Sequence, residues 1–306
     1  MASLVELWEK PQAAEIYMLA GWHQWADAGA ISSELPEYVI DHFGARKIGE
    51  IHDDSFYLFQ IPGTHHFLRP EIKLKDGYRE GLSRNTNEIY YMGDEQKGLV
   101  IFLGTEPHLN IDRYAEAFFE AVQAVGAKRV VCVGGVYGSM PYDKDRDVSC
   151  TYSLPRLRDE MTNYAVRFSN YEGGATIGSY LLDEAERAHV EFVTFYAFVP
   201  AYEFGESAAS VQGIRLENDY RAWYELMRRI NHMFEIGLDL SELARLSEDL
   251  EMSIDAKIAE LDRELPELNV RAFMSEITDR FEETSFAPLD DIWEEELGDL
   301  FDDGDV

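Results

Sequence analysis

Apolar positions along the chain fall into short unbroken runs separated by stretches of helical spacing. Ile16 to Trp22, Leu99 to Gly104, Arg129 to Val136 and Glu191 to Pro200 are continuous apolar or aromatic runs, the pattern of strands covered on both faces. Between them lie a helix running to about Phe43, a helix over Ile111 to Val125, and a third on which Ile177, Leu181, Leu182 and Ala185 recur at helical spacing. Alternating strands and helices of this kind predict an α/β fold with a mostly parallel sheet. Lys47 to His52 and Phe56 to Gln60 read as short strands. Glu71 to Lys75 and Tyr78 to Gly81 flank Asp76-Gly77, a dipeptide suited to the positive φ angles of a tight turn, so a protruding β-hairpin is expected within an insert around 62–93. Its alternating Ile72, Leu74 and Tyr78 would bury one face against another subunit.

The stretch NYEGGATIGSYLLDEAERAHVEFVTFYAFVPAY, Asn170 to Tyr202, organises the rest as a glycine-bearing turn, a helix and a buried strand. Gly173 and Gly174 permit a tight turn, and Thr176 is placed to cap the helix. Asp143 to Asp147 reads as a mobile charged loop. From about Ser207 the β pattern stops: Ser207 to Gly237, Ser241 to Leu265 and Val270 to Phe281 carry helical periodicity. The chain thus divides into a core over 1–206, a helical lid over 207–281 above a pocket, and an acidic tail over 282–306. The tail has no Lys or Arg, and its Trp293, Leu297 and Phe301 would fill a groove on a protein partner if they do not remain in water.

The formal charge of −32 over 306 residues argues against nucleic acid and anionic membrane surfaces as partners. No run of some 20 apolar residues offers a membrane span, and the start carries no secretory h-region, so a cytoplasmic location is expected. Two cysteines, Cys132 and Cys150, are too few for a disulfide framework and read as reduced core residues.

Signatures for phosphate loops, nucleophile elbows, zinc-protease helices and dinucleotide binding are absent, and no cofactor or metal is expected; His65-His66 lacks further ligands nearby. Parallel sheets bind ligands beyond their strand carboxyl ends. The predicted ends bring together His23, Asp27, Glu106, His108, Tyr137, Glu172, Gly173, Gly174 and Tyr202. Carboxylates gathered there would serve acid–base work; alternatively, Asp27 and Glu106 simply cap helix starts.

The loop AGWHQWADAG with the following FGARKIGEI, the loop GTEPHLN, the strand end VCVGGV and the Asn170 to Tyr202 unit together resemble the PAC2 family, relatives of the proteasome assembly chaperones, over about Ile16 to Tyr202. The hairpin and the helical C-terminal region resemble the long actinobacterial branch of that family. The resemblance implies a three-layer α/β/α core with phosphorylase- or peptidyl-tRNA-hydrolase-like topology, a hairpin used in oligomerisation, a trimer, and a helical lid. Where many bacterial relatives have a P-H-T-R-P-like stretch, this chain has Met140-Pro141-Tyr142-Asp143-Lys144-Asp145. The hydrophobic-tyrosine-x ending of eukaryotic relatives is replaced by Phe301-Asp-Asp-Gly-Asp-Val306. Two functions follow: a non-enzymatic assembly or scaffolding protein, or an enzyme or metabolite sensor with a carboxylate-lined pocket.

Overall fold

The computed structural model describes residues 3–60, 69–202 and 213–286. One large sheet carries the molecule. Its strands are β1 (Val5–Leu7), β2 (Glu15–His23), β3 (Arg46–Ile51), β6 (Glu88–Gly93), β7 (Lys97–Thr105), β8 (Arg129–Gly138), β9 (Val148–Tyr152), β10 (Arg167–Phe168), β11 (Glu191–Tyr202) and β12 (Ile214–Arg215). The order is β1-β3-β6-β7-β2-β8-β11-β9-β10, with β12 paired to β11. The central four, β7, β2, β8 and β11, run parallel, and antiparallel strands close both flanks. The long apolar runs supply the parallel centre because both of their faces are covered.

Helices α1 (Glu34–Phe43), α2 (Ile111–Val125), α4 (Ile177–Ala188) and α5 (Tyr220–Phe234) do the covering. Tyr114, Phe118 and Val122 of α2 and Leu181 and Ala185 of α4 pack with Met18, Val100, Val130 and Phe192 on one face. On the other, Leu35 and Val39 of α1 and Trp223, Leu226 and Ile230 of α5 meet Leu19, Ile101, Val131 and Val193. This is the three-layer α/β/α arrangement. A short helix, α3 (Arg158–Met161), precedes β10.

Of the helical run expected from Ser207, residues 207–212 lie outside the described ones and the described part turns helical at Tyr220; α5 is part of the third layer, its Trp223 and Leu226 buried against the sheet. Beyond it α6 (Ser241–Glu264) and α7 (Val270–Arg280) stack outward, burying Leu243, Ile254, Ile258 and Met274. Two buried arginines lock α5 in place. Arg229 donates to Glu225 at 2.7 Å and to the Tyr164 carbonyl at 2.9 Å, and Arg146 donates to Asp219 at 2.8 Å. The loop over Asp143 to Asp147 is therefore held by Arg146 rather than mobile.

Phe56 to Gln60 forms no strand. Phe56 is buried, its amide donates to Asp53, and its carbonyl accepts from His108 and Leu109, so a loop rather than a ladder satisfies this backbone. Within the insert, β6 belongs to the main sheet, and the independent element is the hairpin of β4 (Ile72–Lys75) and β5 (Tyr78–Leu82). Asp76 and Gly77 take φ of 50° and 81°, as the turn requires. Leu74 pairs with Arg79, and Lys75 with Tyr78. Alternation then puts Ile72 and Leu74 on one face and Tyr78 on the other with the lysines, which corrects the single apolar face read from the sequence.

Candidate functional site

The carboxyl ends of the four parallel strands form one rim. His23 is level with Thr105 of β7, and the loop after β2 folds back over β8, where the Gly135 amide donates to the Ala26 carbonyl at 3.0 Å and Asp27 bridges to Gly135. That loop passes so close that a Cβ on Gly135 would lie 2.0 Å from the Ala28 oxygen. Gly134 likewise leaves room for the Tyr196 ring. These glycines sit inside a strand for close packing rather than forming a turn.

The acidic side chains on the rim are bound to backbone. Glu106 accepts the Ile177 amide at 2.9 Å through Oε1 and the Trp25 amide at 3.2 Å through Oε2. One carboxylate thereby caps the start of α4, where the helix dipole favours negative charge, and pins the loop after β2. Asp27 accepts the amides of Ser32 at 2.7 Å and Ser33 at 3.1 Å and the Ser33 hydroxyl at 2.6 Å, which fixes the entry to α1. Burial raises its pKa above the usual carboxylate range; the serine hydrogen bonds and His23 oppose that shift. Thr176 caps α4 as expected, accepting the Ser179 amide at 3.1 Å.

The remaining nominees are distributed differently. His108 Nδ1 accepts the Leu58 amide at 3.1 Å, leaving the proton to Nε2, and burial lowers its pKa. Tyr202 is not at the rim surface: it is buried, donates to the Met140 carbonyl at 2.7 Å, and is held protonated by burial. Glu172, Gly173 and Gly174 lie on an exposed loop, and neither glycine has positive φ. What approaches Gly173 is the Tyr171 hydroxyl, and what approaches Gly174 is the Trp25 ring. The rim thus gathers Asp27, Glu106 and His108 as supports of local backbone, while His23 is exposed beside them and Tyr137 stands exposed with the Arg215 guanidinium 5.7 Å from its ring centre.

Sequence reasoning missed Trp25 and Tyr171. Trp25 is 72% exposed and Tyr171 67%. The signal was present, since each is a large aromatic in a polar loop next to nominated residues, but residue type drew attention to the charged neighbours. Tyr196 was also missed; its hydroxyl meets Thr176 Oγ1 at 2.5 Å beneath the start of α4. Among the described residues no cluster of three or more His, Cys, Asp or Glu is arranged to hold a metal, and no helix is long and apolar enough to cross a membrane. His65-His66, Trp293, Leu297 and Phe301 lie outside the described residues.

The sequence model of the PAC2 family matches residues 21–258, which span the rim, both helical layers and most of α6. The chain belongs to the PAC2 family. Solved structures of similar fold include a PAC2 family protein from Streptomyces avermitilis, with 22% identity, TM-score 0.65, and 79% of this chain and 95% of the other covered. A proteasome-assembly chaperone homologue from Mycobacterium tuberculosis has 21% identity and TM-score 0.67 over 80% of this chain and 96% of its own. An archaeal proteasome activator from Pyrococcus furiosus has 16% identity and TM-score 0.58 over 82% and 97%. At these identities the likeness is one of fold. No curated protein matches the chain.

Proposed function

We propose that this PAC2 family chain is a non-enzymatic assembly or scaffolding protein that works through protein–protein contacts. The observation that carries the reading is the division of labour at the rim. Glu106 and Asp27 spend their oxygens on backbone amides, and the rim presents outward the aromatic faces of Trp25, Tyr137 and Tyr171. Exposed aromatics on a fixed framework are suited to seat in a partner's pocket. Two relatives in fold, a proteasome-assembly chaperone homologue and an archaeal proteasome activator, support the same class of action. The hairpin serves self-association, with a trimer favoured, and the acidic C-terminal segment provides a further protein contact.

Affinity purification of the tagged full chain from its own cells tests this. A stoichiometric protein is expected, retained by Glu172→Gln and lost on combining Trp25→Ala with Tyr171→Ala. Recovery of a bound small molecule with no protein, lost in Glu172→Gln, would overturn the reading in favour of an enzyme or sensor.

A further inference from the structure

Among the described residues the hairpin of β4 and β5 pairs with no other strand. Ile72 and Leu74 are 57% and 59% exposed and Tyr78 79%, and β4 and β5 form a sheet of their own. A lone two-stranded hairpin is marginally stable in water, so one that displays large apolar side chains calls for a covering surface. Its charge is also out of character. Between 69 and 84 there are five basic residues (Arg69, Lys73, Lys75, Arg79, Arg84) and three acidic ones (Glu71, Asp76, Glu80), a local net of +2 in a chain of −32. Lys73 and Lys75 share the single Glu80 carboxylate at 3.7 and 4.0 Å, so much of their charge faces outward.

The complement is in the same sequence. Residues 287–306 hold nine Asp and Glu, no Lys or Arg, and the apolar series Ile292, Trp293, Leu297, Leu300 and Phe301. Geometry bears on which copy supplies it. The hairpin leaves the sheet between β3 and β6, whereas Phe286, where the described chain stops, stacks on Tyr164 beside β10 at the opposite flank. From β6 to β10 there are six strand spacings in the sheet order, about 29 Å of sheet. Within one copy the segment would have to extend across the molecule before its apolar residues could reach the hairpin. Between copies no such crossing is needed where the β10 flank of one is set beside the hairpin flank of the next.

We propose that the hairpin is the docking site for the acidic C-terminal segment, 287–306, of a second copy of this chain. Trp293, Leu297 and Phe301 cover Ile72 and Leu74, whose face also carries Arg79, and the carboxylates reach around the hairpin edge to Lys73 and Lys75 on its other face. The contact is head-to-tail, so it closes into a ring when the rotation between copies permits. This rests on the self-association reading given above and names the surfaces that accomplish it.

Zero-length carbodiimide coupling joins a lysine amine to a carboxylate only when the two touch, and it works on the full, unaltered chain. A mixture of isotopically heavy and light copies distinguishes links between chains from links within one. Expected are amide links from Lys73 or Lys75 to carboxylates within 290–305, joining heavy to light copies. Their yield should fall at least tenfold in Ile72→Ser/Leu74→Ser, which keeps both lysines and changes only exposed positions. Links confined to single chains, links from the segment only to other lysines, or a yield indifferent to that variant would overturn the proposal. Sedimentation separates its failure from that of the self-association reading. If Ile72→Ser/Leu74→Ser is a monomer while Trp293→Ala/Leu297→Ala/Phe301→Ala remains an oligomer, hairpin self-association stands and the acidic segment is not its occupant. If the hairpin variant remains an oligomer, self-association through the hairpin itself fails.

Discussion

Arg146 and Asp219 form an ion pair, Nε to Oδ2 at 2.8 Å, with side chains 1% and 0% exposed. Arg146 also donates to the carbonyls of Tyr142 at 3.0 Å and Lys144 at 2.9 Å, and Asp219 caps α5 by accepting the Ala222 amide at 3.1 Å. The pair ties the loop after β8 to the start of α5. Arg146→Met leaves the Asp219 charge buried without its partner and should cost about 3–5 kcal/mol. Thermal unfolding should show a melting temperature lower by on the order of 10 °C. A loss under about 1 kcal/mol would mean that water or another cation already compensates Asp219.

Glu106→Gln replaces one of two acceptor oxygens by an amide donor. Either the Ile177 or the Trp25 amide then faces a donor, and the negative charge at the start of α4 is gone. Leaving one such amide unsatisfied at a partly exposed site should cost about 1–2 kcal/mol. Hydrogen exchange at the Ile177 amide should accelerate accordingly, about tenfold for each 1.4 kcal/mol if the opening is local. Unchanged protection of this amide would show that Glu106 is not holding the helix start.

The raised pKa of Asp27 sets a pH dependence of definite sign. In the unfolded chain an Asp releases its proton near ~3.9. Folded, Asp27 keeps its proton to higher pH because burial penalises its charge. Across the interval between those two pKa values the folded state binds more protons, so the contribution of this group to stability is fully present below ~3.9 and lost as pH rises through the folded pKa. Asp27→Asn removes the titration while keeping an oxygen for the serine amides. Denaturant unfolding of both proteins from pH 4 to 7 should show wild-type stability falling relative to the variant as pH rises. The opposite trend would mean that hydrogen bonding outweighs burial at this carboxylate.

Much of this fold was legible because buried parallel strands leave unbroken apolar runs. Ile111 to Val125 was delimited to the residue as α2, and Asp76-Gly77 announced its hairpin by the φ angles it permits. What was not legible depended on partners far along the chain. Phe56 looked like a strand residue, yet its carbonyl is met by the His108 and Leu109 amides. Arg146 looked like part of a solvated charge run, and only Asp219, 73 positions on, makes it a core residue. At the rim, the sequence brought His23, Asp27, Glu106 and His108 to one end of the sheet but not their bonding. A carboxylate that caps a helix and one that awaits a ligand have the same residue type and neighbours.

The pair Gly134-Gly135 yields a sharp test. Both glycines fall in the strand run read over Arg129 to Val136 and, folded, lie inside β8, which continues to Gly138. Glycine within a strand marks a place where another backbone comes close. At Gly135 that backbone is Ala28, whose oxygen would be 2.0 Å from an added Cβ, with its carbonyl carbon at 2.9 Å. Neither is the end of a flexible side chain, so Gly135→Ala must move the loop over 26–28 or bend the strand. The loop is held by the Gly135 amide at Ala26 and by the Asp27 bonds to Ser32 and Ser33, so the displacement reaches the entry to α1 and the Trp25 platform together. The expected cost is about 3 kcal/mol, at the upper end for overpacking, because backbone atoms cannot change rotamer. Gly138→Ala, whose Cβ would first meet Phe198 at 3.1 Å, is the matched control and should cost much less. Equal stability losses in the two variants would show that the close approach of the rim loop to β8 does not constrain the fold.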